Sequence, residues 1–382
     1  MLSKIVLKNF KSFKNRTEID FTKTNYKFLD TNVASNGVLK GVMFVGANAS
    51  GKSNIILAVK LLLDLLFEER QINSRIYLCL FCKEKEYSIE YHFTIEENII
   101  VYSLSHDPFK RVLCEKLYLN NNLLCDRMGL IAKSYITGKE KTFDDLNKDT
   151  LFLRSLYFNT GFAENEILKK WFKFLQNSAY INPYFQSVVS YGKADLSLLN
   201  FLEKKGTDDI NEFFDKYNFE QNILYSQEEG INKNIKITTL NENKMIFFNR
   251  KGVKDISIPF MEESLGNRTL LDILPAFLSL ANNNGILLAD EFSSGFHNEL
   301  EELLIKYFMK TSKLSQILFV SHSTNLISTS VLRPDQIYSV NFNGSEGSWL
   351  KRFSDEQPRL AQNMEKMYLS GVFQGLPDYE NQ

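Results

Sequence analysis

Residues 46 to 53 combine glycines, a lysine and a serine at spacings that suit phosphate binding. They read Gly46-Ala47-Asn48-Ala49-Ser50-Gly51-Lys52-Ser53, a full match to G-x-x-x-x-G-K-[ST]. In this pattern the glycines let backbone N–H groups surround phosphates, the lysine reaches the β- and γ-phosphates, and the hydroxyl binds Mg²⁺. We therefore expect the loop to bind a nucleotide, with Lys52 on its phosphates and Ser53 on the metal.

The residues on both sides of this loop support the same interpretation. Residues 42–45 are a short apolar run typical of a buried strand, and residues 54–63 form a longer run typical of a buried helix. A strand, a loop and a helix in this order place the phosphates at a helix N-terminus. There the helix dipole and the free N–H groups favour an anion.

A second chemical element is an apolar run, residues 285–289, that ends in two carboxylates. Asp290, at the tip of the expected strand, would hold Mg²⁺. Glu291 could polarise the water that attacks the γ-phosphate. A buried strand that ends in a solvated acidic turn would give the same pattern, but the phosphate-binding loop upstream favours the catalytic interpretation.

Two further segments supply candidate site residues. An apolar run at 318–320 leads to His322, which could contact the γ-phosphate, although a histidine at a strand end is more often structural. Ser264 and Gly266 stand just before an apolar helix at 271–280 and would form a second anion site at its start. An ordinary helix cap would explain the serine equally well.

The order of these elements resembles the ABC-type ATPase heads of the SMC, RecF and OLD-like group. Residues 5–13 resemble the N-F-x-S-F start of RecF-like members, and residues 264–270 are similar to the S-x-G-T-x-x-L signature, with Asn267 in place of threonine. Residues 296–300 resemble the L-H-P-x-L stretch. The resemblance covers roughly residues 1–125 and 235–345.

This resemblance implies an α/β fold, an ABC-type P-loop NTPase head with a mixed or antiparallel β subdomain and a helical insertion. It implies an ATPase with ATP and Mg²⁺ as cofactors. Two subunits would enclose two nucleotides in a homodimer or a higher homo-oligomer. Ser264 and Gly266 of one subunit would then face five residues of the other: Lys52, Ser53, Asp290, Glu291 and His322. In this family a glutamine links Mg²⁺ to the insert. Gln71 stands at a tolerable distance after the loop helix, but an exposed glutamine at a helix end would explain it equally well.

Hydrophobic periodicity divides the chain into three parts. We expect an N-terminal ATPase lobe at 1–160, a helical insertion at 161–232 and a C-terminal ATPase lobe at 233–382. We expect a pair of strands at 5–13 and 17–21, a meander at 87–95, 99–104 and 115–119, and a second pair of strands at 235–239 and 245–249.

Composition sets limits on the function. The chain has 382 residues and a net charge of −1, which gives no global attraction to nucleic acid. It lacks an apolar run long enough to span a membrane, so we expect a cytoplasmic protein without a membrane partner. Cys79 and Cys82 have the C-x-x-C spacing of a metal or redox pair, but their apolar surroundings favour buried structural thiols.

The resemblance leaves two biological roles open. The leading hypothesis is an ATPase that senses or scaffolds, and controls a separate effector, a nuclease or toxin, in bacterial anti-phage defence. An OLD-type nuclease would need a Toprim domain, and only about 60 residues follow His322. The alternative is a RecF-like ATPase that binds DNA in repair or recombination. The paired lysines at 169–170 and 204–205 do not decide between these roles, because such pairs are usually solvated helix faces.

Overall fold

The computed structural model describes residues 1–376, apart from positions 69, 73, 163–164, 193–194, 227–243 and 254–255. The strands in chain order are β1 Leu2–Lys8, β2 Thr17–Asp20, β3 Gly41–Val45, β4 Tyr87–Ile95, β5 Asn98–Asp107, β6 Val112–Leu119, β7 Asn122–Met128, β8 Ile131–Ser134, β9 Lys141–Phe143, β10 Ala179–Asn182, β11 Ser187–Ser190, β12 Gln221–Ser226, β13 Met245–Arg250, β14 Ser257–Pro259, β15 Ile286–Ala289, β16 Gln316–Val320, β17 Ile337–Phe342 and β18 Ser348–Arg352. The α-helices are α1 Lys52–Phe67, α2 Phe152–Thr160, α3 Glu166–Gln176, α4 Leu198–Lys205, α5 Asp208–Lys216, α6 Leu265–Asn282, α7 Asn298–Thr311 and α8 Met364–Leu369.

A central sheet positions the candidate site. Its strand order is β11-β10-β15-β16-β3-β17-β18. The five inner strands run parallel, and β11 and β18 pair antiparallel at the two edges. Strands β3, β15 and β16 are buried along their whole length, as expected when helices or a second sheet cover both faces. The carboxyl ends of β10, β15, β16 and β3 therefore lie side by side at one edge of the sheet.

Alternate side chains of the central strands belong to two separate cores. In β16, Leu318 and Val320 pack on the face covered by α1, whereas Ile317 and Phe319 pack on the face covered by α6 and α7. This period of two is that of a strand with both faces buried. Helix α1, which follows the phosphate-binding loop, therefore packs against one face of the central sheet, and a second sheet covers its other side. This packing fixes the start of α1 relative to the strand ends.

An antiparallel sheet closes the other side of α1. Its strand order is β2-β1-β4-β5-β6-β7-β8-β9. Burial alternates strictly along β4, where Tyr87, Ile89, Tyr91 and Phe93 point into the core shared with α1. The hydroxyl of Tyr91 donates a hydrogen bond to the backbone oxygen of Ala58 within α1, at 2.7 Å. The expected N-terminal strand pair and meander are confirmed as parts of this sheet.

Two structural expectations need correction or limits. Segment 161–232, predicted to be a helical insertion, contains α3, α4 and α5 but also β10 and β11, which belong to the central sheet. It is therefore not an insertion outside the sheet; the four-residue strand β10 was hidden by the stronger helical periodicity around it. Strand 245–249 is confirmed, with β12 and β14 as partners, but segment 235–239 lies outside the described residues.

The region around the cysteines also differs from expectation. Residues 75–77 form a 3-10 turn, and Leu80 between the two cysteines is 90% exposed, so the surroundings of the pair are less buried than expected. Cys79 is buried and Cys82 is half-buried, both as free thiols. No cluster of metal-ligating side chains is found among the described residues. Throughout the residues that the structure describes, no helix is long and apolar enough to cross a membrane.

Candidate active site at the sheet edge

The phosphate-binding loop connects β3 to α1 through a tight turn. The backbone φ angles of Gly46, Ala49 and Gly51 are 148°, 61° and 107°. Glycine adopts positive φ without steric penalty, whereas a residue with a Cβ does so uncommonly. The turn therefore requires the glycines of the sequence pattern, and it holds Ala49 in a conformation that is unusual for alanine.

Close packing beneath the loop gives a second reason for both glycines. A Cβ atom on Gly46 would lie 2.3 Å from the backbone oxygen of Val340 in β17. A Cβ atom on Gly51 would lie 2.5 Å from the hydroxyl oxygens of both Ser12 and Ser348. These distances are far below van der Waals contact. The turn that contains Ser12 and the β17–β18 hairpin thus pack against the loop and fix its position.

Lys52 places its ammonium group against the loop itself. Its Nζ donates hydrogen bonds to the backbone oxygens of Gly46, at 3.0 Å, and Ala47, at 2.8 Å. Burial lowers the pKa of Lys52, while the nearby carboxylates of Glu291 and Asp290 raise it by a smaller amount. A partly desolvated ammonium group interacts strongly with an anion, because little water competes for it.

Asp290 joins the acidic strand to the phosphate-binding loop. It follows β15 directly, and Ser53 Oγ donates a hydrogen bond to Asp290 Oδ1 at 2.8 Å. Burial raises the pKa of Asp290, which the hydrogen bond from Ser53 partly offsets. A hydroxyl and a carboxylate are the oxygen ligands that Mg²⁺ prefers.

Glu291 occupies a sharp turn immediately after Asp290. Its φ of 54° lies in the left-handed region, which non-glycine residues rarely adopt. Its backbone oxygen accepts a hydrogen bond from Ser294 N at 3.0 Å, so the turn is closed on itself. Unfavourable backbone of this kind is often retained where a side chain must be aimed for function. The half-buried carboxylate lies close enough to affect the pKa values of both Lys52 and His322.

His322 follows β16, the strand between β15 and β3. The side chain is exposed, and its backbone N–H donates to Ser293 Oγ at 3.2 Å. Burial of part of the ring lowers the pKa of His322, and the positive charge of Lys52 lowers it further. Both ring nitrogens of the imidazole can take part in hydrogen bonds.

Ser264 and Gly266 stand apart from this group. Ser264 caps α6 by accepting a hydrogen bond from Asn267 N at 3.3 Å, and its own N–H donates to Glu263 Oε1 at 2.7 Å. A Cβ atom on Gly266 would lie 2.8 Å from the backbone oxygen of Gly295, in the loop after the acidic turn. Among the hydrogen bonds of the described residues, none links Ser264 to the phosphate-binding loop. The structure thus brings together Lys52, Ser53, Asp290, Glu291 and His322, but not Ser264 and Gly266.

The end of β10 is a part of the site that the sequence did not indicate. Asp290 N donates to the backbone oxygen of Ile181 at 3.0 Å, which places Asn182 beside the acidic strand end. Asn182 Nδ2 donates to the hydroxyl of Tyr180 at 3.3 Å. Burial raises the pKa of Tyr180, and the Asp290 charge raises it further. A signal that could have revealed this strand is the short, mainly apolar run that ends before Pro183. Gln71, the candidate for the glutamine that links Mg²⁺ to the insert, is exposed in the loop after α1.

Comparison with protein-family models identifies the fold family. Residues 42–328, three quarters of the chain, match the family described as "AAA domain, putative AbiEii toxin, Type IV TA system". The chain belongs to this AAA family. The matched residues include the phosphate-binding loop, helix α6, strand β15 before Asp290 and strand β16 before His322. A search of curated protein sequences finds no match to this AAA protein.

Solved structures extend the comparison to nearly the whole AAA chain. An SMC head bound to the C-winged helix domain of ScpA is 17% identical with a TM-score of 0.50, over 91% of this chain and 96% of that one. The SMC head domain from Thermotoga maritima is 14% identical with a TM-score of 0.48, over 92% of this chain and 98% of that one. The expected ABC-type ATPase head fold is confirmed, with its antiparallel and mixed sheets.

The donor groups at the sheet edge fit a magnesium nucleotide. Lys52 and the loop N–H groups suit phosphate oxygens, and the paired oxygens of Ser53 and Asp290 suit a divalent cation. The tight packing at Gly46 and Gly51 leaves no room for side chains beneath the loop. The arrangement therefore has the groups needed to bind phosphates, hold a metal and activate water at one edge of the sheet.

Proposed function

We propose that this AAA protein binds ATP with Mg²⁺ and hydrolyses it. The observation that carries the proposal is the hydrogen bond between Ser53 Oγ and Asp290 Oδ1, because it joins the phosphate-binding loop to the acidic strand. The order of strands β15, β16 and β3 supports it, since the carboxyl ends of these strands bear the remaining candidate residues.

Each residue has a distinct role in the proposed reaction. Residues 46–51 bind the phosphates through backbone N–H groups, and Lys52 adds a positive charge on the β- and γ-phosphates. Ser53 and Asp290 hold Mg²⁺, which neutralises phosphate charge when bound. Glu291 accepts a proton from the attacking water. His322 hydrogen-bonds the γ-phosphate.

The second part of the proposal is an ATP-dependent homodimer. Ser264 and Gly266 lie at the start of an 18-residue helix, where backbone N–H groups and the helix dipole favour an anion. In one chain these residues make local contacts, which is consistent with a role across an interface. Binding of one subunit's γ-phosphate by the partner's helix start would make dimerisation depend on ATP and dissociation depend on hydrolysis.

The third part concerns the biological task. We propose that the dimer acts in the cytoplasm and controls a separate effector, a nuclease or toxin, in bacterial defence. The description of its family as a putative AbiEii toxin of a type IV toxin–antitoxin system supports a place in such a system, and the separate effector is our proposal. Hydrolysis-dependent dissociation would supply the switch, because an effector that binds only the dimer is released when ATP is consumed.

A trapping experiment tests this task. Tagged Glu291→Gln protein is purified from its native host with ATP, beside Lys52→Ala protein as the control that does not bind nucleotide. Co-eluting molecules are identified by mass spectrometry and nucleic-acid staining. A nuclease-like or toxin-like protein held only by Glu291→Gln would support effector control. Nucleic acid without a stoichiometric protein partner would contradict it and indicate a DNA-binding role.

A further inference from the structure

A buried carboxyl group lies behind the histidine loop and has no role in the proposed reaction. Glu301, in the first turn of α7, is 1% exposed. Among the ion pairs between described residues, none involves Glu301. Burial raises the pKa of Glu301, and the hydrogen bonds that it accepts only partly offset this. A buried carboxyl group without a basic partner is destabilising, so its presence calls for a specific reason.

The hydrogen-bond partner of Glu301 is Ser321, the residue before His322. Ser321 Oγ donates to Glu301 Oε1 at 2.5 Å. The residue after His322 is tied to the same hydroxyl, because Ser323 N donates to Ser321 Oγ at 3.0 Å, and Ser323 Oγ donates to Asn298 Oδ1 at 3.4 Å. Glu301 therefore holds the backbone before the histidine directly and the backbone after it through Ser321.

The same helix connects this loop to the acidic turn. α7 begins at Asn298, a few residues after Glu291, and Asn325 Nδ2 donates to the backbone oxygen of Asn298 at 3.2 Å. On the other side, His322 N donates to Ser293 Oγ at 3.2 Å. The histidine loop is therefore bound both to the acidic turn and to the helix that follows it. Movement of α7 would move His322 relative to Glu291.

We infer that Glu301 is a positioning residue that sets the location of His322 through the hydroxyl of Ser321, which also accepts a hydrogen bond from Ser323 N. This inference rests on the proposed ATPase function, because His322 must contact the γ-phosphate for its location to matter. Hydrogen bonds at two points fix the imidazole relative to the attacking water, whereas a loop held at one end would sample several positions. An error of about 1 Å in such a group lowers the rate by up to about 100-fold.

The test compares three variants on the same helix. Glu301→Met removes the hydrogen-bond acceptor at similar volume, and Glu301→Gln retains an acceptor oxygen for a serine hydroxyl. Glu302→Met is the matched control, because the neighbouring Glu302 is paired with Lys306 at the surface. We expect Glu301→Met to lower kcat for ATP by about 10- to 100-fold with KM changed by less than about twofold. Glu301→Gln should stay within about threefold of wild type, and Glu302→Met should be unchanged.

A double-mutant cycle separates positioning from general destabilisation. In a His322→Gln background, Glu301→Met should have little further effect on kcat, because the group that it positions is already gone. A loss of equal size in both backgrounds would overturn the inference, as would wild-type kcat in Glu301→Met. The single variant Ser321→Ala removes the same hydrogen bond from the loop side, independently of repacking at position 301, and should reproduce the loss.

The outcome also separates this inference from the function on which it rests. Absence of ATP turnover in the wild-type protein would overturn both. Turnover in the wild type, lost in Glu291→Gln but unchanged in Glu301→Met, would overturn the positioning role alone and leave the ATPase intact.

Discussion

The edge of the central sheet and the start of α6 both offer groups for an anion, but they differ in how far one chain completes them. At the sheet edge, Lys52, Ser53 and Asp290 contact one another or the same loop directly. At the helix start, Ser264 and Gly266 contact only nearby residues of the same lobe. One chain therefore brings together most of the candidate nucleotide site, and the candidate anion-binding residues at the start of α6 stand apart from it.

The physical origin of this difference lies in the topology. Parallel strands must end at the same edge, so residues after β3, β15 and β16 converge without further requirement. The start of α6 is instead anchored to the three-stranded sheet, where Arg250 of β13 pairs with Glu263 and Asn267 Nδ2 donates to Gln221 Oε1 of β12 at 3.1 Å. These strands are not part of the central sheet, so its topology does not bring the start of α6 to the phosphate-binding loop.

The largest expected effect comes from removing the charge at the sheet edge. Lys52→Ala should weaken ATP binding by at least about 100-fold, because a desolvated ammonium group on the phosphates is lost. Isothermal titration with MgATP measures the change. Lys306→Ala, a surface lysine in α7, is the control and should bind ATP as the wild type does. Equal affinity in Lys52→Ala and wild type would contradict the assignment of the phosphate site.

Removing the proposed base should affect turnover but not binding. Glu291→Gln should lower kcat by about 10²- to 10⁴-fold, retain ATP affinity and accumulate as a dimer with ATP. Phosphate release and light scattering measure the two effects. Glu299→Gln, an exposed residue of α7, serves as the control. Turnover in Glu291→Gln equal to that of the wild type would show that the catalytic assignment is wrong.

A charge change at the start of α6 sharpens the comparison. Asparagine and aspartate both cap helices well, but only aspartate would place a negative charge against a γ-phosphate. Ser264→Asp should therefore retain wild-type thermal stability and lower ATP turnover by at least about tenfold, whereas Ser264→Asn remains active. Full activity in both variants would indicate that Ser264 acts only as a helix cap, and loss of activity in both would show that the negative charge is not the cause.

The smallest effect concerns the stability of α6 itself. Burial raises the pKa of Asp272 in this helix to about 6, with Arg268 lowering it less. Because the folded-state pKa is above the unfolded value, ionisation of Asp272 destabilises the fold as pH rises from about 4 to about 6. Asp272→Asn should therefore gain about 1 to 3 kcal/mol relative to wild type at pH 7, and little at pH 4. Urea unfolding at the two pH values measures it; an equal gain at both would exclude the ionised carboxylate as the cause.

Local patterns predicted the elements of the site and part of the fold. The loop at 46–53, the strands before Asp290 and His322 and the capped helix after Ser264 each have a signal within a few neighbouring residues. The head fold followed from their order and was confirmed. The roles of these residues remain predictions that the variants above test.

Long-range pairing explains what the sequence did not reveal. Strand β10 has four residues, and only its pairing with β15 places Asn182 beside Asp290. Glu301 looks like an ordinary residue of an amphipathic helix, because its contact with Ser321 depends on how α7 packs against β16. Neither contact leaves a periodic signal, since each joins residues that are distant in the chain.

Mixing two inactive variants tests most directly whether the two regions act across an interface. Glu291→Gln and Ser264→Asp proteins are combined in equal amounts before ATP is added, and phosphate release is compared with that of each variant alone. In a mixed dimer, one site has Glu291 from one chain and Ser264 from the other, so both are intact. Turnover should rise well above either variant, up to about a quarter of wild type, because half of the dimers carry one intact site of two. A mixture no more active than the average of its components would contradict a site shared between two chains.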